Sequence, residues 1–214
     1  MTTDVPGFYT KNLWLLNATI AAVRYLPALR ALWRKYIAFW PGIKILDAGC
    51  GTGALVKTMV SASPYPAHYC AFDVTPRLLH KFCRWAGANR RPGSFEIVEA
   101  DIISARQELP PVWRNFDIIC SSGVLEYLEP DELGPALRHF KELLAPHGIL
   151  VTITSRKNFS NKLLIEKLYR AMPYRPAEFA EALKKAGFRS ATFWRFPFPY
   201  SYLNFWGYIV VAGA

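Results

Sequence analysis

The chain has 214 residues, of which 52% are apolar and 15% aromatic, enough for one α/β domain with a sizeable core and too apolar for a disordered chain. No apolar run reaches the roughly 18 to 20 residues that span a bilayer; the best candidate, "LWLLNATIAAV" (Leu13–Val23), is interrupted by Asn17 and lacks the small-residue cleavage pattern of a secretory signal. The net charge of +10 sits on the flanks: residues 1–41 hold five Lys/Arg against one acid, 42–155 eleven against twelve, and 156–214 ten against three.

A neutral middle between basic flanks points to an anionic surface met by those flanks. The cysteines, Cys50, Cys70, Cys83 and Cys120, contain no C-x-x-C pair. They read as free thiols in a reducing, cytoplasmic compartment, with no metal site and no disulfide framework.

Residues 8–40 carry three of the seven tryptophans and five cations, and Pro27 is expected to kink or split a helix there. This segment, within residues 1–41, reads either as a helical lid on the domain or as an interfacial helix on a membrane. From Lys44 onward strands alternate with helices. "IKILDAG" is a near-continuous apolar run ending in glycine, as a buried parallel strand should be. "ALVKTMVSA" has helical spacing, "AHYCAFDV" is a second strand, and "PRLLHKFCRWAG" a helix with proline near its start. "SFEIVEADI" and "FDIICSS" are the third and fourth strands, "PDELGPALRHFKELLAP" a helix, and "GILVTITS" the fifth strand.

The pattern then changes. "RPAEFAEALKKAGF" is an amphipathic helix stopped by Gly187, and "SATFWRF" and "FWGYIVVAGA" are two strands with no helix between them, which should pair antiparallel. The expected fold is α/β: a Rossmann-like three-layer sandwich over residues 42–214. Its seven-stranded, mostly parallel sheet ends in an antiparallel hairpin, with an N-terminal helical lid added.

At Ile45–Gly53 the sequence reads "ILDAGCGTG". Glycines at 49, 51 and 53 permit positive φ and close approach of a ligand to the backbone, and the following helix starts with free N–H groups. The turn formally fits a dinucleotide-binding fingerprint, with Asp73 at the acidic position. Asp47 argues against that. A carboxylate beside the turn would repel a pyrophosphate and attract an ammonium group. Asp73 and Asp101 end the second and third strands, where they can accept hydrogen bonds from ribose hydroxyls and from an adenine amino group.

Together "ILDAGCGTG", "AFDVT", "EADI" and "FDIICSSGVLEYL" resemble, in order and spacing, the class I S-adenosylmethionine-dependent methyltransferases, over roughly residues 40–214. The resemblance implies that S-adenosylmethionine is the cofactor and S-adenosylhomocysteine the product, with no metal. It implies that Asp47 and the backbone of Gly49, Cys50, Gly51, Thr52 and Gly53 hold the methionine moiety and Asp73 the ribose. Val74 would pack on the adenine, Asp101 would bond its amino group with Ile102 beside it, and Ser121 or Ser122 would line the pocket near the sulfonium. Tyr9, at the start of the lid, is a further candidate contact.

Glu126 and Tyr127 are the candidate catalytic residues, at places where relatives carry histidine and an aromatic; the alternative is a solvated glutamate and a packing tyrosine. His68, His80, His139 and His147 fall away from the expected site. No Asn/Asp-Pro-Pro-Tyr or Pro-Cys pair follows the fourth strand, and no RNA-binding module is attached, so nucleic acid is disfavoured as the acceptor. A small, hydrophobic or lipid-like acceptor is expected. Residues 156–176 read as a substrate-covering insertion, with Leu163, Leu164, Leu168 and Met172 as an apolar stripe among lysines and arginines. Both flanks are candidates for peripheral contact with an anionic membrane. Phe196, Phe198, Tyr200, Tyr202 and Phe205 could complete an aromatic pocket or pack within the sheet. The competing functions are an NAD-dependent oxidoreductase and a non-catalytic, nucleic-acid-associated binding protein of the same fold. Neither acceptor atom nor oligomeric state is written in the chain.

Overall fold

Apolar side chains on consecutive residues make the central strand: β1 (Ile43–Ala48) is buried at five of its six positions, which requires a covering layer on both faces. The computed structural model describes residue 14 and residues 18–89, 93–157 and 171–214. Beyond β1 the strands are β2 (Ala67–Asp73), β3 (Ser94–Glu99), β4 (Phe116–Ser122), β5 (Leu144–Ser155), β6 (Ser190–Trp194) and β7 (Gly207–Gly213). They form one sheet in the order β3-β2-β1-β4-β5-β7-β6. The first five are parallel; β7 runs antiparallel to β5, and β6 antiparallel to β7. The order reverses between β1 and β4, and at such a switch point the carboxyl ends of the strands open a crevice for ligand.

Helices cover both faces. On one side lie α1 (Tyr25–Tyr36), α2 (Ala54–Ala62) and α3 (Pro76–Ala88), whose core includes Leu29, Leu32, Trp33, Val56, Met59 and Phe82. On the other lie the short α4 (Ala105–Glu108), α5 (Pro130–Leu143) and α6 (Pro176–Lys185), around Leu137, Phe140, Phe179 and Leu183. The three-layer sandwich and the terminal antiparallel pair expected from the sequence are both present. The four cysteines are free.

The split expected near Pro27 falls at Arg24, which takes a left-handed conformation (φ 50°) between the helical residues 18–22 and α1. Pro27 then sits in the first turn of α1, where a missing N–H costs no intrahelical bond.

Residues 25–36 correct the interfacial expectation. Ala28, Leu29, Leu32 and Trp33 are fully buried, and the Trp33 Nε1–H donates to Thr58 Oγ1 of α2 at 2.9 Å. Each buried leucine contributes about 1.5 to 3 kcal/mol to this packing, so the apolar face of α1 is spent on the domain and unavailable to lipid. The same helix reaches the far edge of the sheet, where Tyr36 stacks on Trp194 with ring centroids 4.5 Å apart. No helix among the described residues is long and apolar enough to cross a membrane.

Candidate active site

The turn after β1 is tied to β2: the N–H groups of Gly49 and Cys50 both donate to Phe72 O at 2.9 Å. Two of its glycines are required by the protein's own packing. A Cβ on Gly49 (φ 73°) would run into the Val124 side chain, and one on Gly53 (φ 80°) would lie 2.5 Å from the Phe82 ring. Gly51 faces open ground, with only a Leu78 methyl carbon within 4 Å. Its N–H donates to Asp73 Oδ2 at 2.8 Å. Thr52 is half-buried on the turn and Cys50 buried. Burial, reinforced by the charges of Asp47 and Asp73, pushes the Cys50 thiol well up, so it stays protonated and is no nucleophile.

Asp47 is 1% exposed, and neither carboxylate oxygen has a hydrogen-bond partner. Burial, with the charge of Asp73 adding to it, pushes its pKa up to about 8. The Val56 backbone amide offsets part of that rise without reaching hydrogen-bond geometry. A buried carboxyl without a donor is costly, and a ligand cation placed against it removes the cost.

Asp73 is held at both oxygens, since the Thr75 N–H donates to Oδ1 at 2.8 Å. It therefore ties the glycine turn to the residue that starts the next helix, and as a carboxylate it has lone pairs remaining. Asp101 is fixed in the same manner: its Oδ1 accepts from the Ile103 N–H at 2.9 Å, and its own N–H donates to Glu108 Oε2 at 2.8 Å. Val74 stands exposed after β2. Beside Asp101 the exposed apolar side chain is Ile103 (56%), whereas Ile102 is partly buried and packs against the core.

Ser121 is buried with an unpartnered Oγ, and Ser122 Oγ lies 2.7 Å from the Tyr25 hydroxyl. Sequence reading missed Tyr25. Burial raises its pKa to about 12; the Ser122 hydrogen bond lowers it, and the carboxylates of Glu126 and Asp47 raise it further. Tyr25 heads the stripe Tyr25, Ala28, Leu29, Leu32, Trp33, spaced i, i+3, i+4, i+7 and i+8, and that periodicity was the available signal. Val124, which covers Gly49, carried no such signal.

Glu126 is neither a solvated residue nor a free base. It is 5% exposed; Thr154 Oγ1 and the Ser155 N–H each donate to its Oε2 at 2.7 Å, and Ser155 Oγ donates to Oε1 at 3.1 Å. These bonds pin the short 3₁₀ turn Leu125–Tyr127 to the end of β5. Tyr127 is half-buried in that turn, and its N–H donates to Val124 O at 2.9 Å. Asp117, outside the site, accepts from the Lys44 N–H at 2.8 Å.

Tyr9 and, of the insertion 156–176, residues 158–170 with Leu163, Leu164 and Leu168 lie outside the described residues. Met172 is exposed, and its N–H donates to Glu126 O at 2.7 Å. Of the aromatics in the β6–β7 connection, Phe196 is buried with its ring 6.1 Å from that of Tyr25, and Tyr200 packs against the same core. Phe198, Tyr202 and Phe205 are exposed, at 89%, 40% and 62%. Among the described residues no group of three or more His, Cys, Asp or Glu could hold a metal ion.

Comparison with known proteins bears on the family and the fold. Residues 46–150 match the family model described as a methyltransferase domain. The malonyl-(acyl-carrier protein) O-methyltransferase of Paenibacillus sp. (strain JDR-2) is 26% identical over 68% of this chain and 55% of its own, so the chain spans just over half of that relative. The ubiquinone biosynthesis O-methyltransferase of Paraburkholderia phytofirmans is 24% identical over 83% of this chain and 78% of its own. The crystal structure of magnesium protoporphyrin IX methyltransferase from Synechocystis PCC 6803, with bound S-adenosylhomocysteine, shares the fold. Its TM-score is 0.67 at 18% identity, over 91% of this chain and 84% of that one.

Proposed function

Because the chain belongs to the methyltransferase-domain family, we propose that it transfers the methyl group of S-adenosylmethionine to a small, hydrophobic or lipid-like acceptor. The observation that carries this reading is Asp47: a buried carboxyl with both oxygens unpartnered, next to a turn whose one open glycine is Gly51. An amino acid joined to a nucleoside answers both features, with its ammonium on Asp47 and its ribose hydroxyls on the remaining lone pairs of Asp73. Val74 and Ile103 offer apolar contact to the base, and Asp101 an acceptor for its amino group.

The bound cofactor supplies an electrophilic methyl group on a sulfonium. The chain's part is alignment and exclusion of water. Ser121, Ser122 and Tyr25 form the wall where β4 ends. Tyr25, with its pKa near 12, keeps its proton at neutral pH and donates a hydrogen bond instead of taking a proton. Glu126 positions that wall through its bonds to Thr154 and Ser155, and Tyr127 closes the turn. An acceptor that is already a good nucleophile, or whose proton leaves to water, suits this arrangement.

Titration calorimetry with S-adenosylhomocysteine and with NAD tests the assignment. Binding of the first is expected. Binding of NAD without it would turn the reading into the oxidoreductase alternative.

A further inference from the structure

We propose that the connection between β6 and β7, residues Arg195–Trp206, is a surface that docks this protein on an anionic lipid membrane. The inference rests on the methyltransferase reading only in that it supplies the route by which a hydrophobic acceptor arrives.

Six of these twelve residues are aromatic and none is acidic. Phe198 is 89% exposed and Phe205 62%; Tyr202 and Trp206 are exposed beside them. The exposure is built in. Phe196 and Leu203 anchor the segment in the core. Asn204 braces it from within: its Oδ1 accepts from the Phe196 N–H at 2.9 Å and its Nδ2 donates to Ser201 O at 2.9 Å. The Arg156 side chain donates to Asn204 O at 2.9 Å and Gly207 O at 3.1 Å. Trp206 packs edge-on against Tyr202 and Phe205, and the braced loop that buries Phe196 and Leu203 leaves Phe198 almost wholly exposed, so the cluster displays an apolar patch.

Charge selects the occupant. Arg195 is exposed within the segment. Exposed Lys157 follows Arg156, whose N–H donates to Trp206 O at 2.7 Å, and exposed Arg24 follows Val23, whose carbonyl accepts from the Tyr202 hydroxyl at 2.8 Å. Aromatic rings edged by cations fit the interface of a bilayer with anionic headgroups. Position agrees. Gly207 pairs with Ser155 at the end of β5, so the loop stands on the same edge of the sheet as Asp47 and Ser122, with Phe196 between it and Tyr25. A lipid-borne acceptor would pass from bilayer to site without crossing water.

The test is sedimentation of the full chain with phosphatidylcholine vesicles and with vesicles that also contain phosphatidylglycerol. Co-sedimentation with the anionic vesicles is expected, weakened by salt. F198S/F205S should weaken it about tenfold or more, with unchanged S-adenosylhomocysteine affinity and melting temperature. No binding to anionic vesicles, or equal binding of the double variant, overturns the proposal. So does a wild-type dimer that F198S/F205S converts to a monomer, which would make the surface a self-interface. A chain that binds vesicles but not S-adenosylhomocysteine would fail the methyltransferase reading while keeping this one.

Discussion

Asp47 carries the sharpest consequences at the level of single residues. Its folded pKa of about 8 lies well above the 3.8 usual for an aspartate. The cofactor-free fold therefore holds a proton that the unfolded chain releases. That contribution to stability is fully present below about pH 4 and is lost as pH rises through about 8. Binding of an ammonium group has the opposite sign: affinity should rise with pH up to about 8, with release of a proton. Calorimetry in two buffers of different ionisation enthalpy reads that proton directly. Affinity for S-adenosylhomocysteine that is flat from about pH 6 to 9 would remove the Asp47 pairing. Asp47→Asn should cost about 30-fold or more in that affinity, while raising the melting temperature of the cofactor-free protein at alkaline pH.

The glycines divide in the same way. Gly53→Ala should destabilise the fold, because its Cβ meets the Phe82 ring. Gly51→Ala bears only backbone strain of about 1 to 2 kcal/mol and should lose cofactor affinity out of proportion to stability. Glu126→Gln should lower stability by about 1 to 3 kcal/mol in urea unfolding and leave the pH profile of turnover unchanged. A lost limb in that profile would make Glu126 the base after all.

Among elements, α1 is the informative one. Leu32→Ala should cost about 2 to 5 kcal/mol of stability, measured by urea unfolding; a variant as stable as the wild type would mean that this helix is only loosely laid on the domain. Its helical period was plain in the sequence, and so was the break near Pro27. Its partner was not. An amphipathic face edged by Trp, Tyr and Lys looks the same whether it will meet lipid or protein, and the deciding group, Thr58 on α2, lies 25 residues further on. The strands were legible because buried parallel strands are runs of Ile, Leu, Val and Cys closed by polar turn residues. The side chains just past their ends were less so. Ile102 and Ile103 are neighbours of one kind, and only the turn made by Asp101 decides which points outward. The three donors on Glu126 come from β5, 28 and 29 residues away, and no local pattern announces them.

At the scale of the whole molecule, the antiparallel ending was expected but its place in the sheet was not: β7 enters between β5 and β6. The register spans Ile149–Ser155 against Gly213–Gly207, and β6 touches the sheet only through β7. During synthesis, β6 leaves the ribosome with no strand to join, and β5 waits with one edge unpaired until the following segment appears. A nascent chain halted after Trp206 would hold five parallel strands with an open apolar border. It should aggregate, as light scattering would detect, whereas the full chain should stay dispersed. β7 thus closes the edge that β5 leaves exposed, and β6, made before it, joins the sheet only once β7 is in place.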